Sequence, residues 1–297
     1  MAIILQLGAG ELMKHSIRQI QAMGHQVYTI DKNPSAPAFS IADGFQAIDL
    51  IDTESIVSYA REINADAILA VNEAGVLSAA QASQILGLRG LDPDIALRAL
   101  DKGKMRQAWQ QASLSQPQFA LVNTPENIPS IAEKIGYPVV VKPTMNWGSR
   151  GVSVAETPED LAWSIDFASQ NRKANTDFSI EEYIDGIEMT IEGLIHNNEV
   201  IILAKSDKIL QEHARYRVDQ ALHYPANLSN TVLAKVDELF VKAAQALNLN
   251  NCALHCEMRI ANDEPYLIEM AARPGGGHIF GQIVEAVSGI SMPQALT

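Results

Sequence analysis

Two glutamates near the end of the chain carry the strongest chemical signal. Leu254-His255-Cys256-Glu257-Met258-Arg259-Ile260 alternates in character, so His255, Glu257 and Arg259 share one face of a strand while Leu254, Cys256 and Met258 share the other. Ala261-Asn262-Asp263-Glu264-Pro265 reads as a turn and Tyr266-Leu267-Ile268-Glu269-Met270 as the returning strand. A hairpin centred on Asp263 sets Glu257 directly opposite Glu269 and Arg259 opposite Leu267. The two carboxylates then stand about 5 Å apart at Cβ. Like charges at that spacing repel unless something neutralises them, and a hard divalent cation bridging the oxygens meets the need. A register slip of one residue would separate the pair.

Cations and glycines supply the complementary half of a phosphate site. Val139-Val140-Val141-Lys142-Pro143 is a buried strand with a lysine at its end. The loop that follows contains Asn146, Gly148, Ser149, Arg150 and Gly151, which combines close backbone approach, a hydroxyl and a guanidinium fork. It is not a P-loop, and by itself it reads equally as a hairpin tip. Lys102 lies in Asp101-Lys102-Gly103-Lys104-Met105-Arg106, which alone is a solvated helix start capped by Asp101. Arg273-Pro274-Gly275-Gly276-Gly277 precedes a helix expected over 279–287 and reads either as an anion nest or as a flexible connection. Ser179-Ile180-Glu181-Glu182-Tyr183-Ile184-Asp185-Gly186-Ile187-Glu188 offers strand backbone to a flat base, with Glu188 past the turn to accept ribose hydroxyls; a surface hairpin is the plainer reading. Cys252, His255 and Cys256 do not make a zinc site, because one strand would send them to opposite faces.

The elements that must position these residues fall into two kinds. Over the first hundred residues, apolar runs at Ile3–Leu7, Val27–Ile30 and Ala67–Val71 alternate with helical stretches at Leu12–Met23 and Ile56–Ile63, the pattern of a doubly wound parallel sheet. Gly8-Ala9-Gly10 followed by Asp31 suggests a dinucleotide fingerprint, but Met13 stands where the last glycine belongs. The turn is therefore read as structural, with a substrate carboxylate at Gly8 and Gly10 as the functional alternative. A boundary is expected near 90–102, where Gly90, Pro93 and Gly103 cluster, followed by helical composition over Ile95–Ala112 and a less regular α+β region. The 297 residues carry 22 basic and 35 acidic side chains, a net charge of −13 that argues against an extended nucleic-acid or acidic-membrane surface. No apolar run approaches the roughly 20 residues of a membrane helix. The start lacks signal-peptide features, and with two cysteines no disulfide framework is expected, so a reduced, cytoplasmic protein is the expectation.

Taken in order, Asp-Lys-x-x-Met-Arg, Val-Val-Lys-Pro with its glycine loop, Glu-Glu-Tyr-Ile-x-Gly-x-Glu, and two glutamates ending in Glu-x-x-x-Arg-Pro-Gly-Gly resemble the ATP-grasp superfamily. The similarity is greatest to its carboxylate–amine ligases, such as L-amino acid ligases and relatives of biotin carboxylase and the purine-pathway ligases. It implies a Rossmann-like domain over 1–100 and a two-lobed ATP-grasp domain over 101–297, with a small lid at about 114–180 and a metal-bearing subdomain at about 181–297. It further implies ATP with Mg²⁺ or Mn²⁺, small-molecule carboxylate and amine substrates, and a homodimer. By the same resemblance Lys102 and Lys142 would meet the phosphates and the loop from Asn146 to Gly151 would close over them. Glu181, Glu182, Tyr183 and Ile184 would lie at the adenine, and Glu188 at the ribose. Glu257 and Glu269 would hold metal. Arg273 with Gly275, Gly276 and Gly277 would stabilise an acyl phosphate, and Lys208 would be a further cation facing the substrate. Two departures stand out. Position 271 is Ala where many members have a metal-binding Asn, and the chain stops at Thr297 where amino-acid ligases usually continue. These leave a non-catalytic or regulatory ATP-binding module as the competing reading, with an NAD(P) oxidoreductase built on Gly8-Ala9-Gly10 as a third.

Overall fold

A computed structural model of the chain describes residues 1–146, 148–210 and 219–297; Trp147, within the glycine loop singled out above, lies outside the described residues. Strands β1 (Ile3–Leu7), β2 (Gln26–Ile30), β3 (Gly44–Gln46) and β4 (Ala67–Ala70) form a parallel sheet in the order β3-β2-β1-β4. Helices α1 (Met13–Ala22), α2 (Thr53–Glu62) and α3 (Glu73–Leu86) cover it. Side chains of β1 alternate between two cores: Leu5 and Leu7 enter one and Ile4 the other. Burial on both faces is why these strands read as unbroken apolar runs.

The helical composition over 95–112 resolves into two helices, α4 (Pro93–Leu100) and α5 (Lys102–Gln111). Asp101 is the break. Its backbone is extended (φ −94°, ψ 107°), and its carboxylate accepts from the Gly103 and Lys104 N–H groups, capping α5. Restarting the helix here sets Lys102 and Arg106 one turn apart on a single face. Met105 and Trp109, on another face, enter the largest core, where the Trp109 indole N–H donates to the Ala243 carbonyl at 3.3 Å.

Two antiparallel sheets follow. The smaller runs β5-β8-β6-β7, from β5 (Phe119–Val122), β6 (Val139–Pro143), β7 (Ser153–Ala155) and β8 (Phe178–Glu182), with α6 (Ile128–Ile135) and α7 (Pro158–Asn171) packed on it. The larger runs β11-β10-β9-β12-β13, from β9 (Ile187–His196), β10 (Glu199–Leu210), β11 (Asp219–His223), β12 (Cys252–Ala261) and β13 (Glu264–Ala271). Helix α8 (Asn230–Ala246) buries Val236 and Phe240 against this sheet. Residues 183–186 carry the chain from one sheet to the other. The helix expected over 279–287 is a π-helical turn at Ile279–Ile283 continuing into α9 (Val284–Ser288), and α10 (Met292–Ala295) packs on α1. Among the described residues, no helix is long and apolar enough to cross a membrane.

The β12–β13 hairpin corrects the sequence register in one respect. Asn262 and Asp263 both take positive φ (52° and 60°), a two-residue turn that pairs Ala261 with Glu264 and Arg259 with Tyr266 rather than Leu267. A bulge between Glu257 and Met258 then adds one residue to β13, and beyond it Glu257 lies opposite Glu269.

Candidate active site

Between the two antiparallel sheets lies a cleft of about 660 Å³. Its small-sheet wall carries Lys142 of β6 and the β6–β7 loop residues Asn146, Gly148, Ser149 and Arg150. The connection between the sheets contributes Glu182, Tyr183 and Ile184, and Lys102 projects from the start of α5. The large-sheet wall carries Glu188, Lys208, Glu257, Arg259 and Glu269, and the far end is formed by Arg273, Gly276 and Gly277. The structure thus brings most of the residues singled out in the sequence to one crevice, from segments far apart in the chain.

Charge pairing within the cleft is dense. Lys102 is 5% exposed, not a solvated helix residue; its Nζ lies 3.0 Å from Glu269 Oε1 and donates to the Asn146 carbonyl at 2.7 Å. Burial alone would lower its pKa, but the Glu269 carboxylate outweighs that and raises it. Lys208 Nζ bridges Glu188 and Glu257, 2.9 Å from each. Burial works against the Glu257 carboxylate, yet Lys208 and His255 hold it well below the usual range. Each glutamate of the facing pair is thus neutralised by a lysine.

Glu181 lines the cleft but is only 2% exposed, its carboxylate committed to cations: Arg106 Nη2 at 2.7 Å and Lys142 Nζ at 2.9 Å, with the Ser179 hydroxyl donating at 2.8 Å. Despite burial, Arg106 and Lys142 hold its pKa far below the ordinary value. Lys142 is itself lowered, first by burial, because it shares this one carboxylate with Arg106. Glu181 therefore aims Lys142. Glu182 lines the cleft while pairing with Gln118: its N–H donates to the Gln118 carbonyl and its carboxylate accepts from the Gln118 N–H. The Tyr183 N–H is likewise taken, by the Pro138 carbonyl at 3.2 Å. Arg259 organises the next stretch. It donates to the Ile184 carbonyl at 2.5 Å, holds Glu188 Oε2 at 3.1 Å and lies over the Tyr183 ring at 4.8 Å.

The glycine motifs divide. The β6–β7 loop bends through Gly148 (φ 64°), Ser149 (φ 55°) and Gly151 (φ 77°), with the Asn146 amide bracing it on the Arg150 and Asn171 carbonyls. The turn after β1 is structural. Gly8 N–H donates to the Ile30 carbonyl and Ala9 N–H to the Asp31 carboxylate, and neither Gly8 nor Gly10 lines the cleft, so an anion held at this turn would lie outside it. Gly275 is engaged as well, its N–H donating to Glu192 Oε2 at 3.1 Å, which leaves Gly276 and Gly277 as the loop's cleft-lining glycines. Arg273 reaches across to Glu73 at the start of α3 and to the Pro274 carbonyl. Cys252 and Cys256 are free thiols; burial pushes Cys252 up to about 12 and Cys256 well above its usual value.

Several site residues were not anticipated. Arg106 lies one turn beyond Lys102, a spacing visible in the sequence. Glu192 continues the Glu188-x-Thr190-x-Glu192 alternation of β9. Glu73 had no local signal, because its partner is 200 positions away. His255 shares its strand face with Glu257 and Arg259, as the alternation of β12 shows.

Two carboxylates on one face, among lysines, are a donor set for a hard divalent ion. Among the described residues no group of three or more His, Cys, Asp or Glu side chains surrounds a common ion position. The residues present therefore fit an ion whose remaining ligands are phosphate oxygens and water.

Comparison with known proteins agrees with this geometry. Residues 135–282 match the ATP-grasp domain. The chain belongs to the ATP-grasp superfamily. It is 34% identical over 266 residues to the alanine–anticapsin ligase of Bacillus subtilis (strain 168), covering 82% of this chain and 55% of that protein. It is 27% identical to the formate-dependent phosphoribosylglycinamide formyltransferase of Wolinella succinogenes, covering 91% of this chain and 70% of that one. This ATP-grasp chain thus spans about half the length of the first of these relatives. Its fold matches the L-amino acid ligase of Bacillus licheniformis with a TM-score of 0.84 at 21% identity, over 100% of this chain and 73% of that one.

Proposed function

We propose that the protein is an ATP-dependent carboxylate–amine ligase. ATP phosphorylates a substrate carboxylate, an amine attacks the resulting acyl phosphate, and ADP and phosphate leave. The observation that supports this best is the convergence of Lys102, Lys142, Lys208 and Arg273 with Glu257 and Glu269 on one cleft between two lobes. Catalysis in such a site is positioning and charge neutralisation. Lys142, aimed by Glu181, and Lys102, on a capped helix end, would bind phosphate oxygens. Glu188, oriented by Arg259, would accept the ribose hydroxyls, and the loop from Asn146 to Gly151 would exclude water from the acyl phosphate. Glu257 and Glu269 would hold Mg²⁺, or Mn²⁺, which would supply neutralisation of the charge developing on the transferred phosphoryl group. Arg273 would meet the transferred phosphoryl group. The substrates are small molecules, the setting is the cytoplasm, and residues 1–100 form the domain preceding the two grasp lobes.

A second reading, a nucleotide-binding module without chemistry, draws on Ala271, which lines the cleft opposite His255 and offers no ligand. An ADP-release assay across amino acids and small carboxylates, with and without amines, separates them. Turnover that needs both substrates supports the ligase; ATP binding with no phosphate release above background supports the module.

A further inference from the structure

Glu192 is fully buried in the middle of β9, and nothing in the proposed chemistry uses it. Its two carboxylate oxygens serve two different segments. Oε1 accepts from His255 Nδ1 at 2.5 Å, and Oε2 accepts from the Gly275 N–H at 3.1 Å. Both partners belong to the part of the cleft around Glu257 and Arg273. His255 is the direct cross-strand neighbour of Glu192, lines the cleft, and turns Nε2 towards Glu257 Oε1, 3.8 Å away. On its other side His255 pairs across the strands with Ala271, which also lines the cleft. Gly275 opens the loop that follows Arg273, and a Cβ there would lie 2.7 and 2.9 Å from the Glu192 oxygens. The glycine is required by the closeness of the carboxylate.

We propose that Glu192 is a positioning residue for phosphoryl transfer, fixing through its two oxygens the His255 imidazole beside Glu257 and the loop of Gly276 and Gly277 beside Arg273. This rests on the ligase reading and deepens it: His255 joins the group that meets the transferred phosphoryl, and Glu192 acts through it. A carboxylate fits the role because an ionised one accepts from two donors at once, whereas an amide would have to present an N–H₂ to one of them. Burial makes the arrangement rigid, since neither oxygen has water as an alternative partner.

The test compares binding of MgADP with binding of MgADP plus aluminium fluoride, a mimic of the transferred phosphoryl group, by the full chain. Glu192→Gln, His255→Gln and the double variant are measured alongside the wild type. Partners that orient a site residue through hydrogen bonds are commonly worth about tenfold or more. The expected result is tighter binding of the fluoride complex by the wild type, and a loss of about tenfold of that tightening in each single variant with MgADP binding unchanged. The double variant should lose no more than Glu192→Gln alone, because His255 depends on that carboxylate. A low-field proton resonance from His255 Nδ1–H, present in the wild type and absent from Glu192→Gln, is expected independently. Gly275→Ala, which leaves both side chains in place, should reproduce the loss and serves if Glu192→Gln does not fold. Full tightening in the variants, additive losses, or an equal loss of MgADP binding would overturn the proposal. A wild type that binds MgADP without tightening would overturn it while leaving the nucleotide site intact; one that binds no nucleotide would overturn the ligase reading itself.

Discussion

Glu257 faces Glu269 because Ile268 is an extra residue on β13. The tight turn at Asn262 and Asp263 sets a register in which Met258 pairs with Leu267, and without the bulge Glu257 would pair with Ile268. The bulge therefore brings a second carboxylate into the cleft, as bulges near active sites often re-aim a side chain.

Replacing one of this pair tests its role in the reaction. Glu269→Gln keeps the shape and removes the charge that faces Lys102. Mg²⁺-dependent ADP formation should fall by about a hundredfold or more, the scale of losing a charged group that stabilises transferring phosphoryl oxygens. The fold should persist, because Glu269 is only partly buried and its lysine keeps the Asn146 carbonyl as an acceptor. Circular dichroism and ADP release measured together check this; unchanged turnover would reject the metal assignment.

The parallel N-terminal sheet was legible because strands buried on both faces are written as plain apolar runs. Strand alternation, a local signal, made both glutamates legible on one face; the tight two-residue turn moved Arg259 to Tyr266, and a bulge that no local pattern announces restored the Glu257–Glu269 pairing. The helix break at Asp101 was visible as a cap but was not read as a break. What could not be read was whose partner each charge is. Glu181 and Glu182 are adjacent, yet one is buried between two cations and the other meets Gln118. Glu73 and Arg273 meet only through the packing of α3 against the large lobe's final loop.

Lys142→Met should weaken ATP binding by about tenfold to a hundredfold, the equivalent of one charge-assisted hydrogen bond. The fold should survive, because Glu181 keeps its bidentate contact with Arg106. Titration calorimetry with MgATP reads the change. Affinity equal to that of the wild type would place the phosphates elsewhere.

Stability can be tuned away from the site at the β12–β13 turn. Both central residues are exposed with positive φ, the two-residue hairpin geometry that favours Asn-Gly. Asp263→Gly should stabilise the chain by roughly 0.5 kcal/mol, and Asp263→Val should destabilise it by about 1–2 kcal/mol. Urea midpoints check both, with ADP formation unchanged in the glycine variant because the turn residues do not line the cleft.

Glu181 makes stability depend on pH in a defined direction. Its carboxyl titrates far below the ordinary value of 4.5 because Arg106 and Lys142 hold it ionised against the pull of burial. Below that ordinary value the unfolded chain takes up a proton that the folded chain refuses, so the contribution of Glu181 is complete above it and is lost as the pH falls towards the folded value. Glu181→Gln leaves two buried cations uncompensated and should destabilise the protein by about 3–5 kcal/mol at neutral pH. The same variant should lose less stability on acidification, so the two curves run parallel from neutral pH to about pH 5 and converge below it. Urea unfolding across that range tests the sign. Curves that stay parallel throughout would mean that Glu181 is not ionised in the folded protein, and Lys142 would then need another partner to stay charged at the end of β6.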